Sequence, residues 1–160
     1  MRYYFIFPLI FIVFGCKDSG SNINSSIPAD PFKSDKFEVL VKDYIKTADT
    51  RYNDKNKVIG IIFNTTDNSH SLKLGCSQFV IDHPDVIGHI EQEGDLLIFL
   101  SDSSSLEIVK QFVDFSSLET GKIDHFPYYD SLNLPGPFDP FIRIYSINEH
   151  LSLSLVNEEN

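Results

Sequence analysis

Cysteine is scarce in this 160-residue sequence, which holds only Cys16 and Cys76. Two cysteines cannot build the disulfide framework of small secreted domains, so the stability of the fold must come from a packed core. Methionine occurs once and tryptophan not at all, but there are fourteen phenylalanines and seven tyrosines. The hydrophobic share of 42% is ordinary for a globular protein and too high for a disordered one.

Basic residues are also in short supply. The chain has 13 Lys and Arg against 23 Asp and Glu, which gives a formal net charge of −10. A charge of this sign repels phosphate backbones and anionic lipid headgroups. We therefore expect no nucleic-acid partner and no electrostatic attachment to a membrane surface.

The motifs of several large enzyme classes are missing. The sequence contains no HExxH, no G-x-S-x-G, no Rossmann glycine pattern and no glycine-rich loop ahead of the Gly121-Lys122 pair. No histidines stand four residues apart on a predicted helix. Cys76, His83 and His89 could converge across neighbouring strands as a mixed zinc site, but their spacing does not require it. We expect no catalytic residue, metal site or cofactor.

No hydrophobic run is long enough to cross a bilayer. Tyr3 to Phe14 is apolar, interrupted only by Pro8, and spans about 18 Å as a helix, short of the roughly 30 Å hydrocarbon core. A positive start at Met1-Arg2 followed by an apolar run of this length is typical of a secretory signal peptide.

The apolar run ends in Val13-Phe14-Gly15-Cys16. This segment resembles a lipobox, in which an aliphatic residue at −3 and a small residue at −1 precede the cysteine of a bacterial lipoprotein. The resemblance covers the first sixteen residues and implies cleavage before Cys16 and a membrane anchor of lipid on its sulfur. Phe14 at −2 departs from the commonest pattern, in which this residue is small. A bulky residue at this position resembles the lipoboxes of Bacteroidota lipoproteins. An uncleaved anchor is the alternative.

The residues after the cysteine indicate the membrane to which a lipoprotein is sent. Lys17-Asp18 does not look like an inner-membrane retention signal and faintly resembles the surface-export signals of Bacteroidota lipoproteins. The resemblance implies the cell envelope and the outer membrane, with the domain in the periplasm or at the surface. Lys17 to Pro31 is rich in Ser, Asn, Gly and Pro, which predicts a flexible tether. The expected organisation is a signal peptide over 1–15, a tether over 16–31 and one domain over 32–160.

Two segments of the domain show helical periodicity. Apolar residues recur at helical spacing from Asp35 to about Asp49, and Asp35 with Glu38 forms a capping-box pattern. The stripe consists of Phe37, Leu40, Val41, Tyr44, Ile45 and Ala48. A second capping box, Ser104 with Glu107, opens a helix that is predicted to run to about Phe115.

Other segments favour strands because they are short, apolar and rich in β-branched residues. These are Val58–Phe63, Leu72–Ile81, Leu96–Leu100, and a terminal hairpin of Phe141–Ile147 and Leu151–Val156 with a frayed tail from Asn157. Residues 84–93 fit either a helix or one arm of a hairpin, and Gly88 favours the hairpin.

The order of these elements predicts an α+β fold. It has two helices and a mainly antiparallel sheet of about five strands, in the order α-β-β-β-α-β-β. Cys76 shares strand parity with Leu72 and Leu74, which predicts a buried, reduced thiol rather than a nucleophile.

The most unusual segment is Ile123–Phe141, which concentrates aromatic rings among four prolines. Long ordered loops often carry function, and rings that proline stiffens lose little entropy on binding. The candidate contact residues are Phe126, Tyr128, Tyr129 and Phe138. The same rings could instead cover an open face of the sheet.

Two functions remain in view. The first is a non-enzymatic binding or accessory lipoprotein of the envelope, for instance of immunity or inhibitor type, whose acidic surface suits a basic protein partner. The alternative is a small envelope hydrolase with carboxylates at strand ends, such as Asp82, Asp85 and Asp102. Carboxylates that converge in a deep pocket would favour the hydrolase.

Overall fold

A computed structural model describes residues 30–52, 57–67, 69–76, 83–123 and 141–159. Within these ranges the chain forms two α-helices, one short 3-10 helix (Phe115–Ser117) and six strands. The α-helices are α1 (Asp35–Tyr52) and α2 (Leu106–Phe112), and the strands are β1 (Val58–Thr66), β2 (Ser69–Cys76), β3 (Val86–Gln92), β4 (Asp95–Ser101), β5 (Ile142–Ile147) and β6 (Leu153–Glu159).

The sheet consists of three hairpins laid side by side in the order β3-β4-β1-β2-β5-β6. Each hairpin is antiparallel within itself. The β1–β2 hairpin lies in the middle and joins β5 in an antiparallel register, with Leu72 opposite Tyr145. It joins β4 in a parallel register, with Ile59 opposite Leu97. The acidic, aromatic-rich sequence thus folds into one mixed but mostly antiparallel sheet.

The predicted α+β class and element order are confirmed, with six strands in place of about five. The additional strand is β3, so the segment 84–93 is an arm of a hairpin and not a helix. Glu93 and Gly94 both have positive φ values of 54° and 94°, the conformation that a two-residue hairpin turn requires. β4 is an interior strand, as predicted from its apolar run, and all seven of its residues are buried.

Both helices contribute to one large hydrophobic core on the same side of the sheet. In α1, the predicted stripe supplies Phe37, Val41, Tyr44 and Ala48, all fully buried. The ring of Phe37 lies 5.5 Å from that of Phe32 and 5.4 Å from that of Phe112. Aromatic pairs at these separations add stability beyond the area they bury. Phe37 therefore connects α1, α2 and the segment that precedes α1.

The opposite face of the sheet carries a second, smaller cluster. Val58, Leu96, Ile98 and Leu100 are buried there, and Ile123 packs against them. These side chains alternate along β4 with Leu97 and Phe99 of the main core, as the two-residue period of a strand requires. β4 is therefore apolar on both faces, which explains its unbroken hydrophobic sequence.

Several boundaries differ from the sequence prediction. α1 begins at Asp35, so its cap is Ser34, whose Oγ accepts the Phe37 N–H at 3.4 Å. α2 ends at Phe112, and its cap residue Ser105 makes no side-chain capping bond. β6 continues to Glu159 where a frayed tail was expected. Residues 77–81 of the predicted second strand lie outside the described residues.

Where the structure describes the chain, none of its helices combines the length and apolar character needed to span a bilayer.

Candidate functional site

The two described carboxylates of the hydrolase hypothesis are Asp102, which is hydrogen-bonded in a local turn, and Asp85, which is exposed. Asp102 follows β4 and accepts the Ser104 hydroxyl at 2.7 Å and the Ser105 N–H at 2.8 Å. These hydrogen bonds lower the pKa of Asp102, whereas a general acid needs a raised one. Asp85 is exposed, and its backbone carbonyl, not its carboxylate, accepts the Ser101 N–H at 3.0 Å. Asp82, the third carboxylate of the hydrolase hypothesis, lies outside the described residues.

A buried ionic cluster lies where the end of α1 meets the starts of β1 and β4. The side chain of Lys57 is 2% exposed, and its ammonium pairs with the carboxylates of Asp49 and Asp95. Asp95 is also buried, and its Oδ1 accepts the Lys57 backbone N–H at 2.8 Å. One aspartate thus fixes both the main chain and the side chain of Lys57.

The pKa values of this cluster follow from burial and pairing. Burial alone would lower the pKa of Lys57, but the hydrogen bonds and charges of Asp49 and Asp95 outweigh it and raise the pKa. Burial raises the pKa of Asp95, against the opposing effect of Lys57. Lys57 is therefore held as a cation. An ammonium in this state has no lone pair for nucleophilic attack, so the geometry favours a structural role.

Cys76 lies near this cluster and is the buried, free thiol that its strand parity predicts. Its Sγ is 3.7 Å from the Tyr44 hydroxyl, which donates to the Phe141 carbonyl oxygen at 2.6 Å. Burial raises the pKa of Cys76 to about 11. Since the thiolate is the reactive form, Cys76 is an inert core residue at neutral pH.

The histidines of the zinc hypothesis are not brought to Cys76. Across the strands, Cys76 lies opposite Ile59, and the strand register continues from Ile59 through β4 to Ile90 of β3. His89 is the neighbour of Ile90 and therefore points to the opposite face of the sheet. His89 is buried, and its Nε2 lies 3.6 Å from Glu119 Oε2. In the described ranges, no group of three potential ligands is close enough to hold a metal ion.

The candidate contact residues Phe126, Tyr128, Tyr129 and Phe138 lie outside the described residues, but both ends of the aromatic segment are described. Ile123 packs on the second cluster. Phe141 is buried and stacks on Tyr44 with the ring centroids 4.9 Å apart and an interplanar angle of 8°. Its N–H donates to the Tyr52 hydroxyl at 2.8 Å. The segment thus ends in a core residue that α1 holds.

The two edges of the sheet differ. The main chain of Glu119 forms a bridge along β3, with His89 N–H donating to the Glu119 carbonyl at 3.0 Å and the reverse bond at 2.9 Å. Gly88 permits this approach, because a Cβ there would lie 2.8 Å from the Cβ of Leu118. Along β6, no second strand is paired within the described part of the chain.

The open β6 edge also exposes apolar side chains. Leu155 is 55% exposed and Val156 is 66% exposed. The register shifts between Ile144 and Tyr145, so that Val156 is the extra residue of a bulge. An edge strand presents unpaired N–H and C=O groups, which are a template for another strand. We call Leu153–Glu159 with these exposed groups the β6 edge, and it is the candidate functional site.

A groove of about 400 Å³ lies beside the β6 edge. Arg143 connects two of its lining residues, donating to Asp43 at 2.8 Å and to Glu158 at 2.7 Å. The groove is lined by Asp43, Lys46, Thr47, Thr50, Arg51, Phe141 and Glu158. Glu158 belongs to both the groove and the β6 edge, so the two form one continuous surface.

Comparison with known proteins gives no relative to guide the reading of this surface: no protein-family model, curated protein or solved structure matches the chain.

Sequence reasoning missed both the buried cluster and the β6 edge. Lys57 was not among the candidate residues, because nothing local in the sequence connects it to Asp95. The alternation of Leu153 and Leu155 with Ser152 and Ser154 predicted the strand. It could not predict that this strand would lie outermost.

Proposed function

We propose that this protein is a lipid-anchored binding protein of the bacterial cell envelope, without catalytic activity, that takes a protein partner on its β6 edge. One observation carries the binding function: the β6 edge is unpaired in the described chain and exposes Leu155 and Val156. Of the described strand-end carboxylates that the hydrolase alternative would use, Asp85 is exposed and Asp102 is hydrogen-bonded in the turn that precedes α2.

The proposed location in the cell envelope is argued from the sequence. The apolar run before Val13-Phe14-Gly15-Cys16 supports export and lipidation. An outer-membrane anchor would hold the domain in the periplasm or at the cell surface. The negative charge of the chain makes lipid on Cys16 the means of attachment, since anionic headgroups repel the domain itself.

Replacement of Cys16 by Ser is expected to abolish labelling by a fatty-acid analogue and to release the protein from the membrane fraction. The reason is that the sulfur of Cys16 is the atom to which the diacylglyceryl group would be attached. Metabolic labelling and membrane fractionation of cells that express each form test this. Replacement of the buried Cys76 by Ala is the control, and labelling should survive it. Labelling that survives in the Cys16→Ser form would contradict the anchor.

The binding function is tested with the double variant Leu155→Lys/Val156→Lys. Lysine on an edge strand disfavours pairing with another strand. After crosslinking in intact envelopes, we expect at least about a tenfold loss of captured partner, as for a contact residue at the centre of an interface. Quantitative mass spectrometry of the captured proteins measures the loss.

Val39→Lys is the matched control, because Val39 is an exposed valine on α1, 65% exposed against 66% for Val156. Its capture should equal that of the wild type. A partner captured equally by all three forms would contradict binding at the β6 edge, and so would the absence of any captured partner.

A further inference from the structure

The charged side chains of the β6 edge and of the turn that precedes it are all acidic. Residues 148–159 contain Glu149, Glu158 and Glu159 but no lysine or arginine. All three glutamates are exposed, and the side chain of Glu158, 34% exposed, lies beside Arg143. The acidic groups therefore flank the exposed Leu155 and Val156 at both ends of the hairpin.

The two glutamates at the end of β6 face opposite sides of the sheet. Glu158 pairs with Arg143, whose guanidinium lies on the helix side against Asp43. Glu159 lies opposite Ile142 in the strand register. As the residue after Glu158, it points to the other side of the sheet. A strand added at this edge would meet a carboxylate on each of its faces, within reach of cross-strand side-chain pairing.

We propose that the occupant of the β6 edge is an extended, basic segment of a partner protein. It would add to the sheet as a seventh strand, with an apolar side chain beside Leu155 and basic side chains on both faces beside Glu158 and Glu159. This proposal rests on the proposed function and adds the chemistry of the partner. A second copy of the chain fits less well, because it would bring its own net charge of −10 to an acidic edge.

The test uses the full-length lipidated protein in nanodiscs of zwitterionic lipid, which do not themselves attract a basic peptide. The probes are two nine-residue peptides of alternating Val and Thr with Lys at two consecutive positions near one end, or Glu at the same positions. Biolayer interferometry at 50 and 300 mM salt measures their affinities.

We expect the lysine peptide to bind at least about tenfold more tightly than the glutamate peptide, and the difference to shrink at high salt. Glu158→Gln/Glu159→Gln should remove most of the difference. Glu91→Gln/Glu107→Gln makes the same change in charge on β3 and α2, away from the β6 edge, and should retain it. Thermal unfolding of both variants verifies that they are folded.

Equal affinities for the two peptides would overturn the proposal, as would a lysine peptide that does not bind or that binds equally to both double variants. Failure of this kind is distinct from failure of the proposed function. The envelope capture with Leu155→Lys/Val156→Lys measures binding at the β6 edge independently of the charge of the partner.

Discussion

Replacement of Lys57 by Met should lower the free energy of unfolding by about 3–5 kcal/mol, the usual cost of removing one member of a buried ion pair. Asp95 would remain buried without the ammonium that now lies 3.2 Å from its Oδ1. Denaturant-induced unfolding, followed by circular dichroism at neutral pH, measures the change.

The loss should depend on pH. Without Lys57, burial raises the pKa of Asp95 still further above its ordinary value of 3.8, because the ammonium that opposed the rise is gone. The folded variant then takes up a proton more readily than its unfolded chain. Its stability relative to the wild type should therefore recover as the pH falls through the raised pKa of Asp95 towards the ordinary value of 3.8.

Two further variants isolate the cause. Lys57→Met/Asp95→Asn removes both charges and keeps an oxygen for the Lys57 backbone N–H, so it should regain most of the loss. Lys110→Met removes a lysine from an exposed pair with Glu107 and should cost less than about 1 kcal/mol. A Lys57→Met protein as stable as the Lys110→Met protein would show that the buried pair contributes little.

Replacement of Phe37 by Ala should also cost about 3–5 kcal/mol, the range for a large aromatic residue in a core. Phe37 is fully buried, and its ring contacts those of Phe32, Phe63 and Phe112. The cavity would open where α1, α2 and β1 meet. The midpoint of urea unfolding should fall markedly.

Val39→Ala is the control for this substitution, since Val39 lies two residues away on the exposed side of α1. Its effect should stay within about 0.5 kcal/mol. If Phe37→Ala costs no more than about 1 kcal/mol, the aromatic cluster is not central to the core.

Local patterns predicted most of the elements. The helical spacing of Phe37, Val41 and Tyr44 found α1 because a surface helix buries one stripe. The unbroken apolar run of β4 identified an interior strand. The cap of α1 was misplaced by one residue, because Ser34 and Asp35 are both good capping residues and sequence alone does not choose between them.

The arrangement of the strands could not be predicted in the same way. The sequence predicted a mainly antiparallel sheet without indicating which strands would be parallel, and β1 lies beside β4 in a parallel register. Pairing between hairpins depends on which faces must be buried together, and not on the turn that joins two consecutive strands. For the same reason the sequence indicated β6 as a strand without indicating that it would be an edge.

The candidate sites also divide into features that local sequence predicts and features that depend on distant parts of the chain. Cys76 was predicted to be buried from its neighbours in the same strand, and it is. Lys57 draws its environment from Asp49 and Asp95, which lie on other elements. A lysine is rarely buried without such partners, and a single sequence does not reveal them.

The order of the strands also sets the sequence of events during folding. Each of the three hairpins joins residues close together in the chain, and such hairpins form on the order of microseconds. The seams between them join distant residues, Val58 with Leu96 and His70 with Ile147. Closing these long loops costs entropy before the contacts repay it, so the seams on either side of the β1–β2 hairpin should form last, on the order of milliseconds to seconds. Until then all three hairpins have open edges. In the finished sheet the four interior strands have a neighbour on both sides, and the main chain of Glu119 bridges to His89 on the outer side of β3, whereas the outer side of β6 has no paired strand within the described part of the chain.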